Sequence, residues 1–265
     1  MNKVSVVMPA YNAARFISYS IVSVLTQTYS NIELVIVNDG STDNTVEVIE
    51  SFKNKYPDKI IFINKPVNEG TVKAINRAFE EATGDYLCWL SADDMYFETM
   101  VESQLNYLLD NPEMDVCFSK HILIDENNKF LGNDYITDEL ANEILNNKSW
   151  IYNQMLFVGN AFHGCSVFGK REKFVETGGF DPQYKYAHDY DYWLRLASVS
   201  NIGFVNEYNV MGRIHEAQVS NQGHNLEDEM RVFFGLLANR PMFEKLMIKA
   251  GVDPDMFVRT VHECF

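Results

Sequence analysis

The sequence predicts an α/β fold in which a mostly parallel sheet is covered by helices on both faces. Three observations predict it. Short apolar runs alternate with segments of helical periodicity through the first 110 residues, the order that builds βαβ units. The apolar runs are nearly continuous, as in strands buried on both faces. Polar or turn-forming residues at 9–12, 38–43 and 91–94 follow three of the runs, at the carboxyl edge where open α/β sheets bind ligands.

Each element has its own signal. Residues 4–8 read as an apolar strand closed by Pro9. Residues 13–27 carry Phe16, Ile17, Ile21, Val24 and Leu25 at helical spacing. A second strand at 33–37 breaks at Asn38-Asp39-Gly40, and Ser41-Thr42-Asp43 supplies cap residues for a helix to about 52. A third strand covers 59–64. A helix at 71–82 is stopped by Gly84, and a fourth strand follows at 85–90. Residues 98–109 form a helix ended by Asn111-Pro112. The second half is less regular. Residues 115–125 read as strand, 127–128 as a turn and 138–147 as a polar helix. Residues 161–169 read as small-residue strand or loop, 189–198 as a helix and 202–214 as extended chain. Residues 226–250 form one or two helices broken at Pro241, and 255–263 a last short helix. No repeat, low-complexity tract or linker separates the halves, so they are expected to pack as one unit that changes role near 115–130.

With 265 residues, 46% apolar and 22% charged, the chain can bury a sizeable core. Lys and Arg total 22 against 37 Asp and Glu, a formal charge of −15. Such a surface disfavours nucleic acid or an anionic membrane reached by charge attraction, and does not exclude a small anion bound through a metal. The four cysteines are scattered and show no zinc spacing; Cys88 and Cys117 lie in apolar runs, which suits buried thiols in a reducing cytosol. The first residues run directly into a strand, and no segment approaches the roughly 18–20 apolar residues of a membrane span.

The stretch Leu87-Cys88-Trp89-Leu90-Ser91-Ala92-Asp93-Asp94 carries the most chemistry. A buried strand ends in adjacent carboxylates, which repel unless a cation lies near them; Mg²⁺ and Mn²⁺, held by one or two carboxylates and substrate phosphates, are the simplest candidates. A surface loop that merely begins with acids is the bland alternative. A Rossmann glycine fingerprint after strand one, a P-loop and a GxSxG elbow are all missing, so a bound nucleotide would be held by carboxylates, an aromatic face and a metal.

Five stretches together resemble the inverting nucleotide-sugar glycosyltransferases of family 2, which have the GT-A fold, a three-layer α/β/α sandwich. They are Val6-Val7-Met8-Pro9-Ala10-Tyr11-Asn12, Val37-Asn38-Asp39-Gly40-Ser41-Thr42-Asp43, Asn68-Glu69-Gly70, Ser91-Ala92-Asp93-Asp94 and His188-Asp189-Tyr190-Asp191-Tyr192-Trp193-Leu194-Arg195. The resemblance covers residues 3 to about 220. It implies a donor site at 1–125 and an acceptor-binding, catalytic half at 126–225 of the same domain, with C-terminal helices at 226–265. Pro9 and Tyr11 would lie against the donor, with the Tyr11 ring on the base. Asp39 would accept a hydrogen bond from the base, although Asn38-Asp39-Gly40 is also good turn chemistry. Asp93 would contact the ribose and Asp94 ligate Mn²⁺ or Mg²⁺; the family often writes this motif Asp-x-Asp, and Ser91 holds its first position here. His215, in a segment at 211–220 that resembles a late family motif of the Arg-x-His type, would be a further metal or diphosphate ligand, with an ordinary polar surface or core residue as the alternative. Lys73 and Arg213 would meet phosphate or base. Asp189 would be the general base, with His188 where the family carries glutamate, Asp191 as rival base and helix capping as the structural alternative. Trp193 is expected in the core and Arg195 in an ion pair. The segment His163-Gly164-Cys165-Ser166 lies where the acceptor half meets the donor sugar.

The resemblance implies a transferase that moves a sugar, hexosyl or N-acetylhexosaminyl, from a UDP-sugar by default to a hydroxyl of a glycan, lipid-linked or protein acceptor. The acidic, short character of the chain suggests a cytosolic placement, free or peripheral at the inner membrane face. The C-terminal helices would pack within the chain or form a homodimer. The alternatives are a sugar-1-phosphate nucleotidyltransferase, disfavoured by a first loop with no glycine, and a non-catalytic nucleotide-sugar-binding module.

Overall fold

The computed structural model describes residues 2–133, 136–160, 162–216, 218 and 225–254. The predicted alternation appears as β1 Val4–Ala10, α1 Ile17–Leu25, β2 Ile32–Asp39, α2 Thr45–Lys55, β3 Ile60–Lys65, α3 Thr71–Glu81, β4 Tyr86–Trp89, β5 Met95–Tyr96 and α4 Met100–Asp110. The second half contributes β6 Val116–Ile124, β7 Phe130–Asn133, α5 Asp138–Asn146, α6 Trp150–Phe157 and β8 Phe168–Lys170. It continues with α7 Arg171–Thr177, α8 His188–Val199, β9 Ile202–Arg213, α9 Asn225–Ala238 and α10 Arg240–Lys249.

One mixed sheet runs through both halves in the order β3-β2-β1-β4-β8-β6-β9-β5, with β7 pairing β6. Strands β3, β2, β1 and β4 are parallel; β8 is antiparallel to both β4 and β6, while β6 and β9 are parallel. The continuous apolar runs are explained by two cores, one on each face. Val4, Val6 and Met8 of β1 face one side with Ile17, Ile21 and Leu105; Val7 faces the other with Ile75, Trp193 and Leu246. Strand β4 alternates in the same way, with Leu87 and Trp89 against Cys88. This is the expected three-layer α/β/α sandwich.

The structure corrects several details. Pro9 does not close β1, which runs to Ala10. Strand β4 pairs with β1 only as far as Val7, so Pro9 lies where one side of β1 has no ladder to interrupt. Of the stretch expected as strand or loop, the described residues 162–169 hold a single 3-10 turn at Gly164–Ser166 and the start of β8. Pro241 separates two helices by starting the second, a position that needs no amide donor. Strands β5 and β7 and helices α6 and α7 were not expected. The helix expected at 255–263 lies outside the described residues. No described helix is long and apolar enough to cross a membrane.

Candidate active site

The β1–α1 and β2–α2 loops are knitted together at the carboxyl edge. Asn12, with φ +47°, accepts the Thr42 amide on its Oδ1 at 2.8 Å; Ser41 Oγ accepts the Asn12 amide and Asp43 the Ala14 amide. Tyr11 stands beside this seam at 47% exposure, its ring open to a ligand. Asp39 is buried at the end of β2. Register sets it opposite Lys65 of β3, whose Nζ lies 2.5 Å from Asp39 Oδ1; the amides of Glu69 and Gly70 also donate to the Asp39 carboxylate, the latter at 2.7 Å. Burial works to lower the Lys65 ammonium, but its bonds to Asp39 and Glu69 outweigh this and raise it. Lys65 was missed in the sequence. Only the parallel register, which pairs it with Asp39, reveals it. Lys73 reaches back to Glu69 at 3.3 Å, on the Asp39 side of the cleft.

The two acids after β4 point apart. Asp93 Oδ2 lies 3.0 Å from His215 Nε2. Asp94, 3% exposed, accepts the Arg213 amide on Oδ1 at 2.7 Å, and Cys165 Sγ lies 3.2 Å from its Oδ2. Burial and the neighbouring Asp93 push the Asp94 carboxyl up to about 8, against the opposing bonds from Arg213 and Cys165. His163 Nε2 is 3.8 Å from Asp94, and Asp94, His163 and Cys165 offer an oxygen, a nitrogen and a sulfur within 4.8 Å of one another. Arg213, 1% exposed, donates to the carbonyls of Asp93 and Asp125 and lies over the Phe16 ring. It therefore clamps the acidic loop to β9 and the segment after β6. His215 is thus brought to Asp93, while Asp94, expected to ligate the metal, lies with His163 and Cys165. Asp94, His163 and Cys165 are the group whose donor atoms converge as a cation requires, while Asp93 and His215 meet in a direct contact of hydrogen-bond length. Ala217, Val219 and Ser220 of the Arg-x-His segment lie outside the described residues.

Across the edge, α8 presents Asp189 in its first turn. Asn160 Nδ2 donates to Asp189 Oδ2 at 2.7 Å, and the Tyr190 amide donates to Oδ1 at 2.8 Å. Asn160 was also missed; it lies in a stretch with no motif. Asp191 is engaged by Arg195 through Nε at 2.9 Å and Nη2 at 2.7 Å. Burial raises the Asp191 carboxyl, with Arg195 opposing. Trp193 is buried, and the Arg195 ion pair is the one expected. His188 turns inward against Trp89 and Phe180.

Loops that follow β1, β2 and β4 at one sheet edge, with the acidic start of α8, give the chain the GT-A fold. The model of glycosyl transferase family 2 matches residues 5–172, and the chain belongs to that family. It is 34% identical over 251 residues to a glycosyltransferase of Rickettsia typhi, covering 94% of this chain and 76% of that one. Its fold is similar to that of S. aureus TarS 1–349 in complex with UDP-GlcNAc, with TM-score 0.69, 18% identity, and 93% and 71% of the two chains covered. A mannosyltransferase from Pyrobaculum calidifontis in complex with GDP-Man and Mn²⁺ is similar at TM-score 0.63 and 20% identity, covering 94% and 68%. The chain spans 40% of a longer TarS chain.

Proposed function

We propose that this glycosyltransferase transfers a sugar from a UDP-sugar to an acceptor hydroxyl, with a divalent cation and with inversion at the anomeric carbon, in the synthesis of a glycan or glycoconjugate. The observation that carries the reading is the pairing of His215 with Asp93 in the loop after β4, on the edge where β1 leads to Tyr11 and β2 ends in Asp39. Tyr11 stacks on the base. Asp39, oriented by Lys65 and the amides of Glu69 and Gly70, accepts the uracil N–H on a remaining lone pair. Asp93 and His215 would hold the cation, and Asp94 keeps the loop in place through the Arg213 amide. Asp93 shares its second oxygen with the ribose. When bound, Mn²⁺ or Mg²⁺ supplies neutralisation of the leaving diphosphate.

Asp189 takes the proton of the acceptor hydroxyl as its oxygen bonds to the anomeric carbon and the bond from that carbon to the diphosphate breaks. One in-line displacement inverts the centre and needs no covalent intermediate. Asp189 is preferred to Asp191 because Arg195 already occupies the latter. The buried free thiols Cys88, Cys117 and Cys165 support a cytosolic placement.

A thermal-shift screen of UDP, GDP, dTDP and CDP, each with Mn²⁺ and with EDTA, tests the donor half. A ligand of the native state raises the midpoint by linkage. UDP is expected to raise it with Mn²⁺ and lose most of the effect with EDTA. Stabilisation by another nucleotide alone corrects the base, and no shift with any nucleotide overturns the donor reading. Asp93→Asn and His215→Ala should each lose the metal-dependent part of the shift. Loss in Asp94→Asn, with Asp93→Asn unaffected, would move the cation to the Asp94, His163 and Cys165 group.

A further inference from the structure

The mouth around Asp189 holds one more carboxylate. Asp228 of α9 is 6% exposed and accepts the Tyr186 amide at 2.9 Å, which ties the start of α9 to the loop leading into α8. The tie sets the next residue, Glu229, over the corner at Gly159 and Asn160. A Cβ at Gly159, where φ is +120°, would lie 3.7 Å from Glu229 Oε2, and the adjacent Asn160 is the residue bonded to Asp189. Among the described residues, no hydrogen bond or ion pair engages the Glu229 side chain. Arg231, two residues on, is engaged by Glu227 at 2.6 Å and Asp228 at 3.5 Å. Burial and the charge of Asp189 both hold the Glu229 carboxyl above the ordinary glutamate range. Meanwhile His188, at the position of the family's glutamate, faces the core with Nδ1 3.2 Å from the Lys185 carbonyl. The acid adjacent in sequence to the base is absent, and one distant in sequence lies at the Gly159–Asn160 corner that holds it.

We propose that Glu229 binds the acceptor, accepting a hydrogen bond from a hydroxyl next to the one deprotonated by Asp189, and that this pair of carboxylates selects an uncharged, hydroxyl-rich sugar. The inference rests on Asp189 being the base. A carboxylate covered by substrate needs a donor, because leaving it unsatisfied costs more than the bond itself contributes. A neutral pyranoside supplies two neighbouring donors. An isolated serine hydroxyl supplies one, and a phosphate or uronate brings a like charge into an acidic mouth on a chain of formal charge −15.

The test is transfer from UDP-Glc, UDP-Gal, UDP-GlcNAc and GDP-Man, with Mn²⁺, to methyl β-D-glucoside, methyl β-D-galactoside, methyl β-D-glucuronide and galactose 6-phosphate. The expected result is saturable transfer to a neutral glycoside, with kcat/KM for the charged acceptors at least about tenfold lower. Glu229→Ala should raise the neutral-acceptor KM about tenfold, with a smaller effect on kcat. Glu229→Gln, which keeps an acceptor oxygen without the charge, should recover most of that KM and narrow the discrimination against the glucuronide. A merely structural residue would not change charge selectivity. An unchanged KM in Glu229→Ala, a preference for a charged acceptor, or no transfer to either neutral glycoside overturns the inference. Wild-type turnover in Asp189→Asn instead removes the base assignment, and the UDP thermal shift reports the donor site independently of both.

Discussion

Asp189 and Asp191 lie in the same helical turn, yet their surroundings assign them different work. Asp189 is held by an amide side chain and a backbone amide, both neutral donors that orient a carboxylate without neutralising it. Asp191 spends its charge on Arg195. Asp189→Asn is therefore expected to lower turnover by about 10²–10⁴-fold while the UDP-induced thermal shift stays near wild type. Asp191→Asn should instead cost about 1–3 kcal/mol of stability, read as a lower denaturation midpoint with substantial activity retained. Asp94 makes a pH prediction. Its folded carboxyl is held near 8, far above that of an unfolded aspartate. Between about pH 4 and 8 the native state keeps a proton that the unfolded chain releases, so the stabilisation is complete below the unfolded value and is lost as pH rises through about 8. Thermal midpoints in EDTA from pH 5 to 8.5 should fall less steeply for Asp94→Asn, which keeps an oxygen for the Arg213 amide, than for wild type. Parallel slopes would remove Asp94 as the source.

The elements that form the donor edge depend on close approach between loops. Gly40, at φ +68°, ends β2 where the chain at Val67 and Asn68 passes so near that a Cβ would lie 2.5 Å from backbone atoms. Backbone strain and the clash together should cost Gly40→Ala at least about 2 kcal/mol. Because Asp39 precedes it and Glu69 follows the clash, UDP should also stabilise this variant less than wild type. The first-half elements were legible because long apolar runs alternate with capped, periodic helices. The pieces that escaped had weaker signals. Strands β5 and β7 are two and four residues long. Helix α6 buries Trp150, Ile151, Tyr152, Met155 and Leu156 and so shows no narrow apolar stripe. At the site, the loop acids and the α8 start were visible as motifs. Lys65, Asn160 and Glu229 were not, because sheet register and helix packing bring them in from positions without a local pattern.

At the scale of the molecule, one sheet and one core run through both halves of the chain. Strand β4, which ends in Ser91-Ala92-Asp93-Asp94, has β1 on one side and β8 on the other, and β8 leads on to β6 and β9. One core joins Val7, Val35 and Leu87 of the first half to Phe174, Trp193 and Leu246 of the second. The clamp at Arg213 fastens the acidic loop from the far side of the sheet. A fragment of residues 1–125 would leave β4 as an unpaired edge and expose the apolar face formed by Leu87, Trp89 and Val116, which favours aggregation over an isolated donor domain. The chain should therefore unfold in a single transition. Indole fluorescence, from Trp89, Trp150 and Trp193, and far-ultraviolet dichroism should give coincident denaturant midpoints, with UDP and Mn²⁺ moving both together. Separated midpoints, or a folded 1–125 fragment that binds UDP, would show that the donor half stands alone and that the shared sheet is not what holds the acidic loop in register.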